Sequence, residues 1–137
     1  MDYKELMCGD WVKVEQVTEV VNAKVLGVYK DGINYEVDYS GVRATNQIHI
    51  DYVSPVKLTG EILVNNGFVG VPLTDSYELN TDYYEIEVWN YSDGLWVVNV
   101  HWIEFSSTPE SKATVSYVHE LQHLFRLCGV EKELVID

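Results

Sequence analysis

Two histidines and a glutamate near the C-terminal end of the chain have the residue types and the spacing of a zinc-hydrolase motif. His119-Glu120-Leu121-Gln122-His123 matches the pattern H-E-x-x-H. On a helix this spacing places two imidazoles one turn apart, and the glutamate can then deprotonate a water bound to the metal. A zinc site here would use His119 and His123 as ligands and Glu120 as the general base.

The stretch Tyr117–Gly129 is the strongest helix signal in the sequence. At about 100° per residue, its apolar side chains fall within one arc of the helix and predict a core-facing stripe. The members of this stripe are Tyr117, Val118, Leu121, Leu124, Phe125 and Cys128. His119 and His123 lie about 160° from the centre of that arc. We therefore expect the histidine pair, with Glu120, Gln122 and Arg126, to form a solvated face.

A catalytic zinc usually has three protein ligands, and the sequence does not supply an obvious third one. Arg126 and Gly129 occupy the positions of the glycine and the final histidine in the extended pattern H-E-x-x-H-x-x-G-x-x-H. The remaining candidates are His101, His49 and Cys8. We favour no catalytic residue, no metal and no cofactor, and we keep zinc as the alternative.

The composition is that of a folded α+β protein rich in strands. The chain has 137 residues, of which 47% are hydrophobic and 12% aromatic. This length suggests a single domain, and at most two subdomains. We place a barrel-like β part at residues 1–54, a connector helix at 55–68, and a sheet with one packed C-terminal helix at 69–137.

The N-terminal part contains several short strands, beginning after the turn Gly9-Asp10. Asp31-Gly32 is a hairpin-turn signal, and Gln47–Val53 reads as a later strand. Four or five antiparallel strands within some fifty residues would suit an SH3-like small barrel or a curled meander. Such folds often bind peptides or nucleic acids, although the fold alone does not say which.

The rest of the chain predicts a short helix, a hairpin, a long helix and a final strand. Thr59 is a good N-cap for a helix through about Asn65, with Asn66-Gly67 at its C-terminal end. Leu95–Phe105 reads as a strand on which His101 is half-buried, and Ser106–Ser111 reads as a polar break. After Gly129 ends the long helix, Glu133–Ile136 is expected to form the last strand.

The charge of the chain is strongly negative and unevenly distributed. The formal net charge is −13, and no Lys or Arg occurs between Lys57 and Lys112. Such a segment would repel a phosphate backbone, so direct nucleic-acid binding is not expected. An acidic surface can dock a basic protein, imitate DNA towards a host nucleic-acid enzyme, or keep a small β protein in solution.

Cysteine usage and hydropathy point to a protein of the cytoplasm. Cys8 and Cys128 lie far apart in sequence, and Cys128 falls on the apolar stripe, so both are expected to be reduced. No apolar run has the length of a membrane span, and the first residues do not resemble a signal peptide. Aromatic side chains that are exposed would provide an interface for a homo-oligomer, so this assembly remains an alternative.

Three blocks of residues are spaced along most of the chain, namely Lys4–Leu6 with Gly9–Val12, Pro55–Leu63 with Asn66–Phe68, and Tyr117–Gln122. Together they resemble a family of small uncharacterised proteins found in Bacteroides-type bacteria, their prophages and phages. The resemblance implies a phage or mobile-element origin and assigns no activity. It also implies that relatives often carry Asn where this chain has His123, which weighs against a catalytic zinc. We therefore expect a non-catalytic protein-binding module with an acidic surface.

Overall fold

A computed structural model describes residues 1–103 and 111–136, and it has an α+β fold made mostly of antiparallel strands. The chain divides into two compact units. The first comprises residues 1–56 and Ile136, and the second comprises Lys57–Val135. The helix expected as a connector belongs to the second unit.

The first unit is a five-stranded antiparallel meander in which the last strand returns beside the first. Its strands are β1 (Trp11–Glu15), β2 (Val20–Tyr29), β3 (Gly32–Tyr39), β4 (Val42–His49) and β5 (Val53–Pro55). They lie in the order β4-β3-β2-β1-β5, with short 3-10 helices at Tyr3–Glu5 and Ile50–Tyr52. Of the two predicted forms, this open sheet fits the meander.

Alternating side chains of these strands form the core of the first unit. Nine buried residues, from Leu6 through Val53, make up this cluster, and among them Val12, Val14, Ala23 and Ile33 are completely inaccessible. Regular alternation places every second residue on one face of a sheet, and in this unit that inner face is apolar. The polar residues between them, such as Lys13 and Glu15, are exposed.

Two local predictions for the first unit were wrong in detail. The hairpin turn is formed by Lys30-Asp31, because Gly32 already pairs with Tyr29 in the sheet. Position 32 requires a glycine, because a Cβ atom there would overlap the backbone carbonyl oxygen of Ile48 on β4. The predicted strand Gln47–Val53 is interrupted by the 3-10 turn at Ile50–Tyr52, which begins after His49 accepts a hydrogen bond from the Asp51 N–H.

The second unit is another five-stranded antiparallel sheet with two helices. Its elements are α1 (Gly60–Asn65), β6 (Val69–Gly70), β7 (Ser76–Asn80), β8 (Tyr84–Ser92), β9 (Leu95–Trp102), β10 (Ser111–Val115) and α2 (Val118–Cys128). The strand order is β10-β9-β8-β7-β6. The end of the strand expected at Leu95–Phe105 and most of the polar break at Ser106–Ser111 lie outside the described residues.

Indole hydrogen bonds tie the helices and their flanking segments to this sheet. Trp96 Nε1 donates to the Leu58 carbonyl at 3.1 Å, and Trp102 Nε1 donates to the Cys128 carbonyl at 3.1 Å. Ile86, Val88, Val98 and Val100 supply buried apolar side chains from β8 and β9. The predicted packing of the C-terminal helix on the second sheet is thereby confirmed.

The start of α1 and the end of α2 follow the predicted capping residues. Thr59 Oγ1 accepts from the Ile62 N–H at 3.2 Å, which is the expected N-cap of α1. Gly129 has a φ of 75°, and this left-handed conformation ends α2. Neither described helix is long and apolar enough to cross a membrane.

The predicted strand at Glu133–Ile136 is wrong, because these residues are not in a strand and the backbone of Val135 instead pairs with a side chain. The Val135 N–H donates to Asn66 Oδ1 at 2.7 Å, and the Val135 carbonyl accepts from Asn66 Nδ2 at 3.0 Å. Asn66 Nδ2 also donates to the Ile62 carbonyl at 2.9 Å. A buried amide at the C-terminal end of α1 thus holds the C-terminal segment through its backbone.

Candidate functional site

The glutamate of the H-E-x-x-H motif caps its own helix. Glu120 Oε1 accepts from the Ser116 N–H at 2.9 Å and from the Tyr117 N–H at 3.1 Å. A glutamate at the third position of a helix commonly satisfies the free N–H groups at the helix start in this way. The carboxylate that would serve as a general base is therefore directed back towards the first turn of α2.

The expected solvated face of α2 is wrong for two of its members. His119 is only 3% exposed and Gln122 only 8% exposed, whereas Arg126 is exposed as predicted. With Val118, Leu121 and Phe125 also buried, the centre of the buried arc is rotated towards the histidines by about 80° relative to the centre of the apolar stripe. Apolar periodicity locates the most hydrophobic side of a helix, but a polar residue outside that side is also buried when neighbouring elements cover it.

The two histidines of the motif are neighbours, and an aromatic ring lies beside them. The His119 ring stacks on Tyr117 with centroids 5.8 Å apart and planes 8° apart. The His123 ring meets His119 edge to face at 5.6 Å. Stacked and edge-to-face rings at these distances have the geometry of stabilising aromatic contacts. This arrangement gives the pair a packing role.

The structure does not bring the candidate third ligands together with the histidine pair. His101 is half-buried on β9, as expected, while His49 and Cys8 belong to the first unit. Within residues 1–103 and 111–136, three or more His, Cys, Asp or Glu side chains nowhere come together in a group that could hold a metal. Cys8 and Cys128 do not form a disulfide.

The solvent-facing side of the second sheet carries a cluster of carboxylates, which we call the acidic face. It is defined by residues that line a depression of about 330 Å³, namely Glu78, Asn80, Glu85, Glu87, Asn99 and His101. Glu78 and Glu87 are directly opposite each other on β7 and β8, and Glu85 is opposite His101 on β9. All three glutamates are exposed, and Lys112 stands beyond Asn99 in the same cross-strand row.

The electrostatics of the acidic face favour a cation. Directly opposed like charges destabilise a pair of antiparallel strands, so the Glu78–Glu87 pair costs the sheet free energy. The asparagine amides and the His101 ring add hydrogen-bonding groups between the carboxylates. A lysine or arginine side chain placed over this row would relieve the repulsion and form charge-assisted hydrogen bonds.

The first unit has a larger depression, which we call the tyrosine groove. Its volume is about 840 Å³, and Tyr35, Tyr39 and Tyr52 contribute its aromatic lining. The β1–β2 turn borders it through Glu15–Thr18, and β4 borders it through Asn46–His49. Ligand-binding depressions commonly have volumes of about 300–1,000 Å³ and combine apolar or aromatic walls with a few polar groups.

Sequence reasoning did not find the tyrosine groove, although one signal was present. Tyr35 and Tyr39 lie four residues apart on β3 and therefore point to the same face of the sheet. Tyr52 reaches the groove from the 3-10 turn that interrupts the predicted strand Gln47–Val53. The acidic face was anticipated as a charge bias, but the strand register was needed to place its glutamates opposite one another.

Together these features define an α+β protein of two antiparallel sheets with an acidic face and an aromatic groove. No protein-family model, curated protein or solved structure matches the chain.

Proposed function

We propose that this chain is a non-catalytic protein-binding module whose acidic face docks a basic segment of a partner protein. The observation that carries the proposal is the cross-strand opposition of Glu78 and Glu87, with Glu85 beside them. A protein that needed charge only for solubility could place these residues apart and avoid the repulsion. Their juxtaposition supports a role in binding a cation.

The chemistry of the acidic face fits a polypeptide partner better than a nucleic acid. Phosphates would be repelled by three exposed carboxylates, whereas Lys and Arg side chains would be attracted. The segment 57–135 has twelve acidic and four basic residues, so its field extends beyond the row itself. The resemblance to phage and prophage proteins supports a bacterial host protein as the partner, in the cytoplasm.

The proposal is tested with a basic peptide and two variants that have the same net charge. In the first variant Glu78, Glu85 and Glu87 become Gln. In the control the exposed residues Glu5, Glu19 and Glu131 become Gln. A fluorescent peptide of alternating Lys and Ala is titrated by anisotropy at low and at physiological salt.

We expect the acidic-face variant to lose about tenfold or more in affinity, since each charge-assisted hydrogen bond contributes about 1.5–3 kcal/mol before solvent screening. The control should lose much less, and salt should weaken the parent complex. Equal losses in the two variants would mean that only total charge matters and would overturn the assignment to the acidic face. Turnover of a substrate that depends on Glu120 would overturn the non-catalytic function.

A further inference from the structure

The tyrosine groove lies where the inner face of the first sheet is left uncovered. On β3 the residues Ile33, Tyr35 and Val37 point inwards and are buried, whereas Tyr39 continues the same face and is 42% exposed. Their partners on β4 include Asn46 opposite Tyr35 and Val42 opposite Tyr39, and both are exposed. The core layer therefore ends before the sheet does, and an aromatic and apolar surface remains open.

The groove is organised by one glutamine before any ligand binds. Gln16 Nε2 donates to the Tyr35 hydroxyl at 3.0 Å, and the Tyr39 hydroxyl donates to Gln16 Oε1 at 3.1 Å. Because the amide holds both hydroxyls, the two rings are positioned without a partner, which lowers the entropy lost on binding. Tyr52 supplies a third ring and is 54% exposed.

The charge of the groove indicates a cationic occupant. Its eleven lining residues include Glu15 and contain no Lys or Arg. The carboxylate of Asp51, next to the lining residue Tyr52, lies 3.5 Å from His49 Nδ1.

We propose that the tyrosine groove binds an extended, proline-containing peptide that carries at least one Lys or Arg. A polyproline II segment has no internal hydrogen bonds and presents pyrrolidine rings and free carbonyls, which aromatic-lined grooves recognise. Tyrosine rings provide flat apolar surfaces for prolines, while the side-chain amide of Asn46, which is opposite Tyr35, is a donor for carbonyl groups. Glu15 and Asp51 attract the basic residue.

The position of the groove distinguishes this occupant from an added β-strand. Strand addition would use the free edge of β4, where backbone N–H and C=O groups are available. The groove is instead formed by side chains on the face of β3 and β4. An occupant there is recognised through its side chains and carbonyls, so it can lack N–H groups.

This site is separate from the acidic face and requires a different peptide, so either proposal can fail without the other.

The test uses a fluorescein-labelled peptide of repeated Ala-Pro-Pro units with one Arg at each end. Anisotropy titrations compare the parent protein with Tyr39→Ala and Tyr52→Ala. Tyr83→Ala is the matched control, because Tyr83 is 71% exposed and lies in the second unit. Circular dichroism melts verify that the variants fold, as expected for half-exposed side chains.

We expect each groove variant to bind the peptide about tenfold more weakly, as for aromatic residues central to an interface, and Tyr83→Ala to bind like the parent. In ¹⁵N-labelled parent protein, the amide signals of residues 46–48 should shift on titration. Replacing both Arg residues of the peptide by Glu should weaken binding at low salt.

Three results would overturn the proposal. The first is the lack of any ¹⁵N shift in the groove at millimolar peptide. The second is undiminished binding by both groove variants, which would place the peptide elsewhere. The third is equal or tighter binding of a Thr-Val peptide with the same Arg ends, which would indicate strand addition on β4.

Discussion

Asn66 offers a direct test of how the C-terminal segment is held, because one buried side chain makes three hydrogen bonds. Its amide bonds the N–H and the carbonyl of Val135 at 2.7 and 3.0 Å, and the carbonyl of Ile62 at 2.9 Å. Asn66→Ala removes the side-chain amide and therefore all three hydrogen bonds at once. It also leaves the Ile62 carbonyl with one acceptor site unused in a partly buried setting.

The expected loss in the free energy of unfolding follows from these bonds. At a net value of about 1 kcal/mol each, three bonds contribute about 3 kcal/mol. Val135 is 57% exposed, so in the variant water can form hydrogen bonds to its backbone groups and recover part of this energy. We therefore expect the free energy of unfolding to fall by about 2–3 kcal/mol. That is a large part of the roughly 5–15 kcal/mol that stabilises a typical protein. Asn66→Asp should destabilise at least as much, because a carboxylate oxygen would face two carbonyl groups.

Urea denaturation followed by tryptophan fluorescence is a suitable assay, since Trp89, Trp96 and Trp102 lie in the second unit. A loss of that size lowers the midpoint by about 1 M for a slope of about 1–3 kcal/mol/M. The neighbouring Asn65 is exposed, so Asn65→Ala is the matched control and should stay within about 0.5 kcal/mol. Equal midpoints for the two variants, or an unchanged exchange rate of the Val135 amide, would refute this role of Asn66.

Gly32→Ala should destabilise the first unit strongly, because the added Cβ would overlap the Ile48 carbonyl oxygen. Gly27→Ala on the adjacent strand is the control, since a Cβ has room there, and thermal melts should show a much lower melting temperature for Gly32→Ala alone. Glu120→Gln should cost less than about 1 kcal/mol in chemical denaturation, since an amide oxygen can still cap the helix; a much larger loss would show that the charge itself is required. Purified protein and its His123→Asn variant should both lack stoichiometric zinc in metal analysis, and one zinc per chain in the parent alone would restore the hydrolase alternative.

The features that could be predicted from sequence depend on residues close together in the chain. Thr59 caps α1 three residues ahead of its bonding partner, and Gly129 ends α2 through its own backbone conformation. The α+β class, the mainly antiparallel strands and the half-buried state of His101 follow from apolar alternation in the same way. Such signals are local, so a single sequence carries them.

The candidate sites depended more on tertiary structure. Charge composition predicted an acidic surface, but only the register of β7 and β8 places Glu78 opposite Glu87. The tyrosine groove required the chain to leave β4 through the 3-10 turn at Ile50–Tyr52. Register and turn geometry are set by strand pairing along the whole sheet, and short patterns do not specify them.

By itself the sequence determined the α+β class, the caps at Thr59 and Gly129, the charge and the presence of the H-E-x-x-H motif. Tertiary structure decided the role of that motif: it buries His119, and the Glu120 carboxylate accepts hydrogen bonds from the backbone at the start of the helix. It also joined Asn66 to Val135 across 69 positions of the chain, where a strand had been expected. The physical reason is that burial and hydrogen-bond partners belong to the surroundings of a residue, and these are assembled by segments distant in sequence.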